Sequence, residues 1–126
     1  MDPEALMFFS GHEGALPLYT AFEKKLLSAF PDCSRRVFKT QISFYNRHLF
    51  ACVSFARVKR KAELPEPYLV VTLGLPYRLS SDRVAIATEP YPGRWTTHIV
   101  VGKAAEIDEE LFGWVKEAYD FALSKK

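Results

Sequence analysis

No stretch of this chain approaches the roughly 18 consecutive apolar residues that a membrane span needs. Its start, Met1-Asp2-Pro3-Glu4, is acidic where a secretory signal is basic, and the apolar run from Ala5 to Phe9 is too short for a signal core. These absences predict a cytoplasmic protein with no membrane partner. Cysteine is almost as scarce. Cys33 and Cys52 are too few for a disulfide framework and lack the CxxC spacing of a zinc site, so both read as reduced thiols, with Cys52 inside a strand. The chain also lacks a phosphate-cradling GxxxxGK[ST], a GxGxxG and a GxSxG. His12, His48 and His98 lie far apart, and none sits at i, i+4 spacing with another ligand. The adjacent acids Glu109 and Glu110 are explained by a helix N-terminus, and Glu63 and Glu66 by a solvated connector. No cofactor or metal is expected.

What is present is a globular mixture. The 126 residues are 48% hydrophobic and 25% charged, which excludes a disordered chain and gives one domain, 1–126, with a real core. The net charge of +2 conceals an asymmetry. Between Cys33 and Ala62 there are eight basic residues and no acid, while the remainder holds nine basic against fifteen acidic residues.

Periodicity gives the elements. Asp2-Pro3-Glu4 reads as a capped helix start, broken at Gly11. A longer helix is predicted over about 15–30, where Leu18, Tyr19, Phe22, Leu26 and Phe30 form an apolar face before Pro31. From Arg36 the period changes to two and continues through Ile42 and Phe44. A turn at Tyr45–His48 then leads into the apolar run Leu49–Phe55, a hairpin pattern. Tyr68–Leu75 is strand-like, Val84–Thr88 is a shorter candidate, and Trp95–Val101 follows the turn Glu89-Pro90-Tyr91-Pro92-Gly93. Asp108 caps a last helix whose buried stripe is expected to hold Leu111, Trp114, Val115, Ala118 and Ala122. The expectation is an α+β fold: a mostly antiparallel sheet of about five strands, with N-terminal and C-terminal helices packed on one face.

Two places carry candidate binding residues. The rigid turn before the last strand presents Tyr91, Arg94 and Trp95, and alternation puts His98 on the side of Arg94. With Lys39 and Tyr77 they form a candidate site for an anionic or planar ligand, through charge and stacking. Lys39 joins only if its strand lies near the last one. The plain alternative is a hairpin with Trp95 as core anchor and Arg94 solvated or paired with Glu89. The second place is the basic third, where Arg35, Arg36, Arg57, Lys59, Arg60 and Lys61 are candidates for a nucleic-acid backbone. A pI near 8.5 is modest for that role.

Several segments together carry a family resemblance. They are Pro17-Leu18-Tyr19, Lys39-Thr40-Gln41-Ile42-Ser43-Phe44 with Leu49-Phe50-Ala51-Cys52-Val53, Arg94-Trp95-Thr96-Thr97-His98-Ile99-Val100-Val101, and Ile107-Asp108-Glu109-Glu110-Leu111 with Trp114 and Ala118-Tyr119. On these the chain resembles a bacterial domain family of unknown function, sometimes labelled "predicted transport protein" and also found fused to nuclease-like domains. The helix-then-hairpin part is more distantly similar to YdhG-like small α+β proteins. The resemblance implies a compact sheet-and-helix domain and no established reaction. The nuclease association implies nucleic-acid or defence-related contexts, and a transport role finds no membrane span here.

The leading expectation is therefore a non-enzymatic module that binds a small anionic or planar ligand or a protein partner. Nucleic-acid binding through residues 35–61 is the alternative, and an uncharacterised enzyme using His98, Arg94 and Lys39 comes third.

Overall fold

The computed structural model describes residues 3–125. Asp2, read as the first helix cap, lies outside them. The first helix, α1 (Pro3–Phe8), leads through a left-handed turn at Gly11, φ 84°, a conformation only glycine adopts without strain. A 3-10 turn follows, and then α2 (Leu16–Ala29), with a proline in its first turn and Leu18, Tyr19, Phe22 and Leu26 buried. Pro31 disfavours a helical Phe30 and ends it.

Six strands rather than five follow in an antiparallel sheet of order β1-β2-β3-β4-β6-β5. They are β1 (Ser34–Val37), β2 (Gln41–Tyr45), β3 (Leu49–Ser54), β4 (Leu69–Leu75), β5 (Val84–Tyr91) and β6 (Arg94–Val101). The extra strand comes from the alternating run after Arg36. The chain reverses at Phe38-Lys39-Thr40, so the run folds on itself as β1 and β2, with Val37 opposite Ile42.

Alternation divides the sheet into two surfaces. Ile42, Phe44, Ala51, Val53, Leu69, Val71, Leu73, Leu75, Ile99 and Val101 belong to one buried cluster with the helices. Phe22 of α2 meets Phe44 at 6.1 Å and Phe112 of the last helix, α3 (Glu109–Ser124), at 5.4 Å. Helix α3 packs over β3 and β4. Fully burying each of these large side chains stabilises the fold by about 1.5–3 kcal/mol. Asp108 caps α3 by accepting the Leu111 N–H at 3.0 Å.

Because β4 and β5 run in the same direction with β6 between them, residues 76–83 must cross β6. They do so as a strap on the helix side. Tyr77 donates to Glu117 of α3, Leu79 is buried, and Arg83 donates to Asp108 and Glu110. The Arg83 guanidinium also lies 5.7 Å from the Trp114 ring centroid. Trp114 is thus half-buried beneath the strap and not a core anchor. Phe112 takes a place in the buried stripe beside Leu111, Val115, Ala118 and Ala122.

Candidate binding site

The sheet face turned away from the helix-side core carries part of the expected site. The register sets Ser43, Cys52, Thr72, His98 and Ile86 in one row across five strands. Thr72 Oγ1 lies 2.8 Å from His98 Nδ1, and desolvation pulls the half-buried imidazole's pKa down, which favours its neutral form. Arg94 shares this face with His98, because 94 and 98 have the same parity along β6. It is exposed, and among the described residues no carboxylate lies within salt-bridge distance of it. Glu89 does not neutralise it, since that carboxylate accepts the Gly93 N–H at 3.0 Å and holds the hairpin turn.

The other expected members go elsewhere. Tyr91, 66% exposed, stands opposite Arg94 at the hairpin tip. Trp95 takes the opposite parity, with the Arg78 guanidinium 5.9 Å from its ring centroid. Tyr77 is on the strap, bonded to α3. Lys39 lies in the β1–β2 turn, with β3 and β4 between β2 and β6. It also stands at the opposite end of the sheet, since Gln41 aligns with Ser54 and Val70, whereas Arg94 lies beyond the Leu75–Trp95 rung. Lys39 therefore does not converge with Arg94 and His98.

The basic third is likewise divided. Arg35 turns toward α2 and donates to Glu23 at 2.7 Å and to the buried Tyr19 hydroxyl, which itself donates to Glu23. Desolvation pulls the Arg35 pKa down, and its bonds to Tyr19 and Glu23 outweigh that and raise it. Arg36 takes the other face, 4.9 Å from the Tyr45 ring centroid. Arg57, Lys59, Arg60 and Lys61 follow β3 in an exposed connector, where Arg60 pairs with Glu63 at 3.0 Å.

A groove of about 940 Å³ lies between α1, the β1–β2 turn and the end of β3. Its walls are apolar and aromatic: Met7, Phe8, Phe38 and Phe55. Met7 and Phe38 are 79% and 45% exposed, large apolar groups left open to solvent along one depression. Phe55 stacks on Phe8 at 5.4 Å and on the His12 imidazole at 4.0 Å. Gln41 and Ser54 add polar groups, and Lys39 stands at the groove with no carboxylate within salt-bridge distance among the described residues. Glu4 is the acid on the lining. Apolar walls with a few polar groups are the make-up of a small-molecule site.

A family model described as Domain of unknown function (DUF5655) matches residues 7–122. The chain belongs to the DUF5655 family. No curated protein and no solved structure matches it. The match covers both that row of sheet residues and the greater part of the groove of this DUF5655 chain. Sequence reasoning found Lys39 but not its surroundings. Phe38 and Phe55 read as strand residues, and His12 falls in the break between the two predicted helices. Only the packing of α1 against the end of β3 makes them neighbours.

Proposed function

We propose that this DUF5655 chain is a non-catalytic binding module for a small planar ligand carrying negative charge or acceptor oxygens, seated in the groove beside α1. One observation carries the reading. Stacked rings and exposed apolar side chains line an open groove, with an unpaired ammonium, Lys39, at its edge. Rings offer flat faces to a planar ligand, and a cation without a partner there favours a complementary charge.

Isothermal titration of the full chain with benzoate, salicylate and a set of nucleotides tests the reading. Binding of at least one probe is expected, with Phe38→Ser and Lys39→Gln each weakening it tenfold or more. No binding by any probe, or binding indifferent to both substitutions, overturns it.

A second reading rests on the pair His98 and Arg94. An exposed guanidinium with no carboxylate partner among the described residues, on the same sheet face as an imidazole four residues along β6, suits an oxyanion. Inorganic phosphate binding lost in Arg94→Ala and kept in Lys39→Gln favours that place over the groove. Nucleic-acid binding through Arg36, Arg57, Lys59 and Lys61 is the alternative, in keeping with the resemblance to domains fused to nuclease-like partners. The engagement of Arg35 by α2 weighs against one continuous basic track.

A further inference from the structure

His12, part of the groove's lining, also lines a second cavity of about 370 Å³, with Gly11, Gly14, Arg57, Lys61, Pro67 and Tyr68 among its walls. Rings of the two linings are in contact. Phe55, on the groove side, stacks with His12 and stands edge-on to Tyr68 at 6.0 Å, and Tyr68 donates to the Phe55 carbonyl at 2.9 Å. Their chemistry differs. The first is aromatic and apolar with one ammonium, whereas the second is cationic. Arg57 and Lys61 are both exposed, and among the described residues neither has a carboxylate within salt-bridge distance, unlike Arg60, which Glu63 holds. Glu66 is the acid on this lining.

We infer that the ligand is a nucleotide, its base against the Phe8–Phe55–His12 stack and Phe38, its phosphates past His12 between Arg57 and Lys61. The inference rests on the groove reading above and adds the ligand class to it. A planar ring joined through a sugar to phosphates matches an aromatic groove that shares His12 with a pocket lined by a guanidinium and an ammonium. A guanidinium takes two phosphate oxygens at once through its planar fork, and an ammonium adds a point charge. A simple aromatic carboxylate uses only the first cavity and leaves both cations idle.

The experiment is a calorimetric series on the full chain with adenosine, AMP and ADP, and guanosine, GMP and GDP, at about 50 and 200 mM salt. Expected is weak nucleoside binding, at least tenfold tightening from nucleoside to diphosphate, and loss of that gain at high salt. The double variant Arg57→Gln/Lys61→Gln should bind the diphosphate no better than the nucleoside, with nucleoside binding unchanged. Both side chains are solvent-exposed, so the fold should survive, and circular dichroism checks it.

Equal binding of nucleoside and diphosphate, or a double variant indistinguishable from the parent, overturns the inference and leaves the groove reading standing. So does binding of benzoate or salicylate with no nucleotide binding. If no probe binds, the groove reading falls as well. A single-stranded oligonucleotide binding far more tightly than its own mononucleotide, with sensitivity to Arg36→Gln and Lys59→Gln, overturns the nucleotide assignment in favour of nucleic acid.

Discussion

Thr72 on β4 and His98 on β6 face each other across one rung of the sheet, hydroxyl to imidazole nitrogen at 2.8 Å. Desolvation lowers the folded-state pKa of His98. The unfolded chain, with an ordinary histidine near about 6.5, takes up the proton first as pH falls. The contribution to stability is therefore present above that value and lost as pH drops through it and below. Urea midpoints should fall between about pH 7.5 and pH 5.5, and His98→Gln should flatten that slope. An identical slope in the variant would place the pH sensitivity elsewhere.

Two residues of α3 should rank opposite to what their sizes suggest. Leu111 is wholly buried, whereas Trp114 keeps one side toward Arg83 and solvent. Leu111→Ala leaves a cavity and should cost about 2–5 kcal/mol. Trp114→Ala loses partial packing and one cation–π contact, and should cost less, about 1–2 kcal/mol. Denaturant unfolding of both variants decides, and a larger loss for Trp114→Ala would place that ring in the core.

Local signals made α3 legible. Asp108 as cap, acids in the first turn and a recurring apolar stripe are all contained within one helix. The hairpin at Pro92-Gly93 was legible for a similar reason, since Gly93 has φ 74°. The β1–β2 reversal was not. Phe38-Lys39-Thr40 contains no glycine or proline, and its one local mark is a slip in the alternation, where Val37 and Phe38 stand adjacent and Lys39-Thr40-Gln41 follow. Nor does sequence place β6 between β4 and β5, because that order depends on the strap crossing, a tertiary event. The candidate site suffered most from this. Parity along β6 sets Arg94 on the face of His98, but the distance of Lys39 from them is a matter of strand order, which no local pattern encodes.

The buried thiol gives a chemical test. Cys52 is 7% exposed, and burial raises its pKa to about 11 against the smaller opposing effect of a hydrogen bond to Thr72. Burial, followed by the nearby Asp32, also raises that of Cys33. Alkylation by iodoacetamide at neutral pH should thus be slow at both, and slowest at Cys52. Unfolding in urea should release both to ordinary thiol rates. Peptide mapping of the label identifies the site, and rapid labelling of Cys52 in the native protein would show that the β3–β4 region opens readily.

Two glycines should respond to the same substitution with opposite signs. Gly113 sits inside α3 on an exposed face, and a Cβ added there meets nothing within 4 Å. Alanine restricts the unfolded chain and favours the helix, so Gly113→Ala should stabilise by about 0.5–1 kcal/mol. Gly102 follows β6, where an added Cβ lies 2.6 Å from Pro65 Cγ and 2.8 Å from Pro65 Cβ. A proline ring is fixed to its backbone and cannot swing aside as a flexible chain would. The Gly102 backbone is tied as well, because Glu106 accepts its N–H at 2.7 Å and that of Lys103 at 3.2 Å. Gly102→Ala should cost about 1–3 kcal/mol, the usual penalty of overpacking. The two melting temperatures should move apart by several degrees. A Gly102→Ala protein as stable as the parent would mean that the connector bearing Pro65 yields to the methyl group, and that the contact between it and the end of β6 contributes little to the fold.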